Sequence, residues 1–390
     1  MNVLIEFFDE EPIENLITCI HFHMDKVICF GYRRMMSLEA RGKLKRCHKK
    51  ICGDHEMEFV EVPYGELYEI VEQMDEVVAR EYEAKNQCFF DLTGGGDLIL
   101  VAMGILSGRY PTPMHTFNVR TGRLNVIEQS DVKSIEELAE RHEKQLTLDH
   151  VIGFYGGKID YNAQKDYKSH LDDPDFAKGV AAMWKVAVRD SKKWNGFSAF
   201  LRNCSEFQLT DLMVDAGAAD VKRMIKRAPG INSQKDVHRY LQHLEKAGVL
   251  VNVTADEGGI SFEYRDYITK DILHDAGCIL ELHTYYEFVE SGRYSDVRVG
   301  AHIMWEDDTW YDDDNVKNEI DVLALEGNVP VFVSCKNGKV DQMALYELDT
   351  VAKRFGGRRA KKILAVGQKL SSGYAKRAEE MGIEVIAAEE

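Results

Sequence analysis

At 390 residues the chain is long enough for two or three domains with separate cores, and 49 Lys and Arg against 66 Asp and Glu give a formal charge of -17. That balance argues against a generally basic nucleic-acid coat but is compatible with a local positive groove. Eight cysteines without CxxC spacing favour reduced, partly buried thiols in a cytoplasmic protein over a disulfide scaffold or a structural zinc site, and neither a secretory signal nor a membrane span is evident.

Residues 3–8 read as a buried strand, 12–19 as a helix opened by Pro12, and 26–30 as the next strand. A polar helix at 37–50, a strand at 57–62 and an amphipathic run at 64–83 follow. Residues 88–92 then lead into Thr93-Gly94-Gly95-Gly96-Asp97 and an apolar stretch at 98–106. This alternation predicts an open α/β domain, whose ligand site forms beyond the C-terminal ends of parallel strands. The Thr93 hydroxyl and the backbone N–H groups of the glycine turn suit an anion at a helix N-terminus. The same small residues also suit a tight strand-to-helix crossover, and Asp97 counts against an anion. The turn lacks the lysine of a Walker A loop and does not match GxGxxG.

Residues 116–128 alternate as a hairpin around Thr121-Gly122, and 131–148 read as charged helices or a connector. Lys158, after two glycines, reads as an exposed turn lysine, and 172–191 as helix. From about 196 to 264, helices at 212–216, 221–226 and 233–247 and a hairpin joining 249–253 to 260–264 predict a winged helix-turn-helix. Its acidic wing tip and mixed charges favour an interdomain or dimerisation role over DNA reading. His21, His23, His238 and His243 fall in separate segments and form no persuasive ligand set.

The last third carries the chemistry. A helix at 279–290 sets Glu281 and Tyr285 one turn apart, so Glu281 is either a solvated carboxylate or one aimed into a cleft. A strand at 297–303 is followed by acidic stretches at 306–308 and 312–314, read as solvated loop. In the strand around 320–323, Glu319 and Asp321 share a face. After the turn Gly327-Asn328, a run at 331–333 ends in Ser334-Cys335-Lys336, with Ser334 and Lys336 on the side of Asp321. Two adjacent strands would then bring Asp321 and Lys336 together, the core of a metal-dependent phosphodiesterase site. Asp321 is expected as the principal metal ligand, Glu281 as a direct or water-mediated one, and the Cys335 carbonyl as part of the shell. Lys336 would orient the attacking water and offset charge on the phosphate. Oxygen ligation suits Mg²⁺ or Mn²⁺ better than zinc, and the Cys335 side chain reads as packing. A helix at 343–355 and strands at 363–366 and 383–387 flank a helix at 371–380. The basic cluster at 358–362 either guides a phosphate backbone or is solvated surface.

Pro12, Asn15-Leu16, Leu92-Thr93-Gly94-Gly95, Leu280-Glu281, Asn318-Glu319-Ile320-Asp321-Val322 and Ser334-Cys335-Lys336 together resemble the CRISPR ancillary nucleases. Those join an N-terminal CARF sensor to a restriction-endonuclease-like domain of the PD-(D/E)xK superfamily. The resemblance implies an α/β chain with a Rossmann-like CARF domain at 1–158, a helical and winged-helix-like connector at 159–266 and a nuclease domain at 267–390. It implies a cytoplasmic homodimer that binds cyclic oligoadenylate, with cyclic tetraadenylate as activator, through Asn15, Thr93, Gly94 and Gly95. It also implies metal-dependent cleavage of DNA or RNA by Glu281, Asp321 and Lys336 in type III CRISPR defence. The superfamily pattern places Asp or Glu two positions before the lysine, where this chain has Ser334, so Glu319 and Ser334 are auxiliary candidates. The alternative is a cyclic-oligoadenylate-binding regulator with an impaired nuclease-like domain.

Overall fold

Strands covered on both faces need nearly continuous apolar runs, and Asn2–Phe7 (β1) and Lys26–Tyr32 (β2) supply them. The computed structural model describes residues 1–127, 134–138, 145–161, 165–305 and 318–387. The acidic stretches at 306–308 and 312–314, and most of the charged stretch after the hairpin, lie outside the described residues. Helix Pro12–His21 (α1), with Pro12 in its first turn, joins β1 to β2. Leu38–Ile51 (α2), Glu56–Val62 (β3), Leu67–Glu83 (α3), Gln87–Asp91 (β4) and Asp97–Arg109 (α4) continue the alternation. Met114–Asn118 (β5) and Arg123–Ile127 (β6) form the expected hairpin. The sheet order is β3-β2-β1-β4-β5-β6, parallel except for that hairpin. Strand order therefore reverses between β1 and β4, and the crevice beyond their C-terminal ends is the place where open α/β sheets bind ligands.

Leu148–Phe154 (α5) leads to Gly157–Asp160 (β7), which joins the edge of the C-terminal sheet by pairing with Asp296–Trp305. A strand that straddles residue 158 is thus built into the far end of the molecule. Pro174–Ala187 (α6) and Ser191–Asn203 (α7) precede Met213–Gly217 (β8), Ala218–Lys226 (α8), Gln234–Lys246 (α9), Leu250–Asp256 (β9) and Gly259–Tyr264 (β10). The order from α7 to β10, with a three-stranded sheet β8-β10-β9, is that of a winged helix. One expectation is corrected: residues 212–216 are not helical but lie largely in β8, antiparallel to β10. Val214 and Ala216 are buried between more exposed neighbours, a period of two that tertiary pairing selects in a segment too short to hold a helix.

Tyr267–His274 (α10) and Cys278–Glu290 (α11) open the C-terminal unit, followed by Asp296–Trp305 (β11), Asn318–Glu326 (β12), Val329–Lys336 (β13), Gln342–Gly356 (α12), Lys361–Val366 (β14), Ser372–Glu380 (α13) and Ile383–Ala387 (β15). The sheet runs β15-β14-β13-β12-β11-β7, antiparallel from β7 to β13 and parallel beyond. The chain is thus an α/β protein with a Rossmann-like N-terminal and an endonuclease-like C-terminal unit.

The two units share one apolar core that includes Leu16, Phe117, Phe154, Ile303, Phe332 and Phe355. Ion pairs reinforce it. Arg358 meets Asp9 at 3.0 Å and Glu11 at 3.2 Å, Arg359 Nε donates to Glu14 Oε1 at 2.9 Å, and the Tyr155 hydroxyl donates to Glu11 at 2.5 Å. Gly357 (φ +71) makes this approach feasible, since a Cβ there would overlap Glu11 and Tyr155. These contacts correct the phosphate-guide reading of the basic cluster. Arg358 and Arg359 are tied to the N-terminal unit, Lys361 pairs with Glu326, and Lys362 pairs with Asp349 at 2.7 Å.

Candidate active site

Pairing between β12 and β13 begins at Val322↔Val333, while β13 continues alongside β14 as far as Lys336↔Val366. The two antiparallel strands therefore part just where Asp321, Ser334, Cys335 and Lys336 stand. On the other side of β12 the ladder steps from Val299↔Val322 to Ala301↔Ile320, passing Gly300 at φ +56. Such irregularities re-aim side chains near sheet edges. Asp321 closes the gap: its Oδ2 accepts the Cys335 backbone N–H at 2.6 Å and the Ser334 hydroxyl at 3.3 Å. One carboxylate oxygen is thereby held by β13. Burial pushes the Asp321 carboxyl up against the opposing effects of that N–H and of Lys336.

Glu281 reaches the same place from the first turn of α11. Its side chain is 13% exposed, and Oε2 is buried without a hydrogen-bond partner. Burial first, then the nearby Asp321 charge, pushes its carboxyl up to about 7. Two desolvated carboxylates this close are costly unless positive charge joins them, and Lys165 Nζ, 3.7 Å from Glu281 Oε2, supplies only part of it. The residues thus fit an oxygen-liganded divalent ion, with Glu281 and Asp321 as side-chain ligands. Glu319 is half-exposed at the rim, where His302 lies 3.9 Å away.

Ser334 hydrogen-bonds to Asp321 rather than standing free in the gap. The Cys335 thiol is buried against Thr284 at 3.8 Å, as packing requires.

Sequence reasoning missed Lys165, which enters from the segment before α6. Its Nζ lies 3.7 Å from Glu281, 3.7 Å from Asp275 and 3.8 Å from Glu319. Burial alone would lower its ammonium, but those carboxylates raise it. Nothing in the local sequence marks this lysine; only the meeting of distant segments does. Lys165 thus brings positive charge to the cleft carboxylates, and a divalent ion bound there would compete with it. Lys165→Ala is therefore expected to tighten Mn²⁺ binding about tenfold at pH 8, read by calorimetry. Weaker binding would show that Lys165 supports the ion instead.

The N-terminal candidates gather at the crevice beyond β1 and β4. Asn15 is buried: its amide donates to Phe7 O at 2.6 Å and Glu6 at 3.0 Å, and its oxygen accepts the Asp9 N–H at 2.8 Å. It shapes the loop after β1. The Thr93 N–H donates to Asp91 at 2.7 Å, its hydroxyl also binds Asp91, and that hydroxyl accepts the Phe117 N–H at 2.9 Å. Gly94 and Gly95 lie between this anchor and α4. A Cβ on Gly95 (φ +111) would press to 3.1 Å from Phe7, and one on Gly94 to 3.2 Å from Glu14. Under the loops lies a buried network that the apolar strands concealed: Asp91 accepts from Thr18 at 2.5 Å with His115 beside it at 3.7 Å, and Glu6 is held well above the usual carboxylate range by burial. Among the described residues no helix is long and apolar enough to cross a membrane.

The family described as Card1-like, endonuclease domain matches residues 272–390. No curated protein matches the sequence. Among solved structures, protein VC1899 from Vibrio cholerae superposes with a TM-score of 0.70 at 15% identity, over 99% of this chain and 94% of that one. Can2 from Sulfobacillus thermosulfidooxidans, solved in complex with cyclic tetra-adenylate, superposes with a TM-score of 0.62 at 16% identity, over 98% of this chain and 93% of that one. Identities this low establish a shared fold, and here the fold extends over both units. Residues 272–390 thus resemble the Card1-like endonuclease domain, and the chain shares its two-unit fold with VC1899 and Can2.

Proposed function

We propose that this chain is a nuclease activated by cyclic oligoadenylate, with cyclic tetraadenylate as the favoured ring, and that it cleaves DNA or RNA with Mg²⁺ or Mn²⁺ in type III CRISPR defence. The observation that carries the reading is the pair of buried carboxylates, Glu281 and Asp321, beside Lys336 in the gap between β12 and β13. Its support is the Card1-like match over the same residues and the fold shared with Can2, whose solved complex holds cyclic tetra-adenylate.

Glu281, Asp321 and the Cys335 carbonyl would hold the ion, which when bound polarises the phosphate and makes water a better nucleophile. Ser334 and the Cys335 N–H keep Asp321 oriented toward the gap. Lys336 places its charge next to Asp321, where it orients water and offsets charge gathering on the phosphate. Glu319 is the remaining acidic group able to join through water. In the sensor, Thr93, Gly94 and Gly95 form the ring contacts, the glycines through backbone N–H groups, while buried Asn15 shapes the loop behind them. Leu98, Val101 and Ile105 are 40%, 48% and 39% exposed along one face of α4. This apolar stripe beside the glycine turn suits a second copy, which would supply matching loops to the other side of a ring.

The test is a cleavage matrix of cyclic adenylate ring size, divalent metal and single- or double-stranded DNA and RNA, using the dimer isolated by sedimentation. Asp321→Ala and Lys336→Ala are each expected to lower activated cleavage by about 100-fold or more. A second reading rests on Ser334, which leaves the strand pair one carboxylate short of the superfamily pattern: a regulator that binds the ring without cutting. Ring binding with no cleavage under any metal would select it. Unchanged cleavage in both variants would place the reaction elsewhere.

A further inference from the structure

Behind the sensor crevice, three side chains from separate elements bring nitrogen and sulfur atoms together. Cys19 comes from the last half of α1, His48 from the last turn of α2, and His55 from the loop before β3. One ligand-type atom of each lies within 4.8 Å of the others. Cys19 and His48 are 4% and 1% exposed, while His55 is partly open to the surface. The imidazoles stand edge-on, with His48 Nδ1 and His55 Nε2 2.8 Å apart. His48 Nε2 is buried with no hydrogen bond of ordinary geometry, the Asn15 backbone being its polar neighbour. Cys52 follows His48 by four residues, its N–H bonded to the His48 carbonyl at 2.7 Å, so its thiol starts from the same face of the helix end.

We propose that Cys19, His48 and His55 form a structural Zn²⁺ site, with Cys52 or water as the fourth ligand. A thiolate with two imidazoles is the donor set that zinc prefers, whereas Mg²⁺ and Mn²⁺ prefer oxygen. The oxygen-lined gap around Glu281 and Asp321 is therefore a chemically different centre, and this proposal does not depend on cleavage. Binding forms a Zn–S bond and releases the Cys19 thiol proton to solvent, with a second released if Cys52 joins. The proton shared between the two imidazoles moves to a ring nitrogen that faces away from the ion. Partly open His55 gives the ion an entry path.

The consequence is mechanical. Zinc would pin α1 to the end of α2, and α1 carries Glu14, which pairs with Arg359 and lies where a Cβ on Gly94 would come within 3.2 Å of it. All eight cysteines are free thiols, as their spacing suggests, and the candidate ligands converge only after α1 and α2 pack together.

The test uses the full chain, purified after expression with zinc. Plasma mass spectrometry should find about one zinc per chain, and Co²⁺ exchange should give a thiolate-to-metal charge-transfer band with tetrahedral d–d absorption. His55→Ala, at the partly open position, should weaken zinc binding by about 100-fold, and Cys19→Ser should abolish the charge-transfer band unless Cys52 supplies the thiolate, which the double variant with Cys52→Ser resolves. Asp321→Ala should keep its zinc. Native protein with less than about 0.1 zinc per chain and no cobalt spectrum would overturn the site without recourse to any variant. So would zinc retained at full affinity in the folded Cys19→Ser, His55→Ala double variant.

Discussion

Glu281→Gln should abolish activated cleavage and at the same time make the metal-free protein more stable at pH 8. The carboxyl is pushed up to about 7 by burial and by Asp321, so the folded state holds its proton more tightly than the unfolded chain does. The resulting stability is complete below the ordinary glutamate range, near pH 4.5, and is lost as pH rises toward 7. Above that, a buried carboxylate costs the fold up to about 3 kcal/mol, a cost that glutamine does not carry. Thermal unfolding of metal-free protein from pH 4 to 8 should show the native chain losing stability across that window, with the variant flatter. Mn²⁺ should raise the native melting temperature at pH 8 and leave the variant nearly unmoved. Matching pH slopes and matching Mn²⁺ responses in the two proteins would remove Glu281 from the metal centre.

Arg359→Ala should uncouple the two units, lowering stimulation by cyclic tetraadenylate at least about tenfold while basal cleavage without the ring stays the same. The route is short: a Cβ on Gly94 would lie 3.2 Å from Glu14 Oε2, while Glu14 Oε1 accepts from Arg359 at the start of the turn into β14. Burial pushes the Glu14 carboxyl up to about 7, with Arg359 the main opposing influence. Without the guanidinium, Glu14 takes up a proton near neutral pH and loses its grip on the C-terminal unit. Arg359→Lys keeps the charge but not the planar fork, so it should recover only part of the stimulation. Full activation of Arg359→Ala by the ring would show that the signal travels another way.

Several parts of this architecture were legible from local pattern. The strands of the two six-stranded sheets, β7 excepted, read from their apolar runs, because strands covered on two faces leave little choice of residue, whereas Gly157–Asp160 reads as a turn. The Asp321 and Ser334–Lys336 pairing followed from strand alternation on either side of Gly327-Asn328, a turn too short to let the strands wander. The winged helix was readable from its helices and hairpin, but β8 was not, since five residues with two small buried side chains carry no period strong enough to exclude helix. Arg358 and Arg359 looked like a phosphate path because their acidic partners lie some 345 residues away in sequence. Asn15 and Thr93 stand beside the crevice that the strand order predicts, but their hydrogen bonds inside the loops were not legible.

Chain order alone determined that this is an α/β protein with a glycine turn at one end and a carboxylate–lysine strand pair at the other. Alternation and turn residues act over a few positions, so any feature confined to that range is written in the sequence itself. Tertiary structure decided that Glu281 sits beside Asp321 and draws Lys165 toward it, that Glu14 meets Arg359, and that Cys19, His48 and His55 converge. Each of those depends on desolvation and charge among groups from separate elements, and neither exists until the elements have packed.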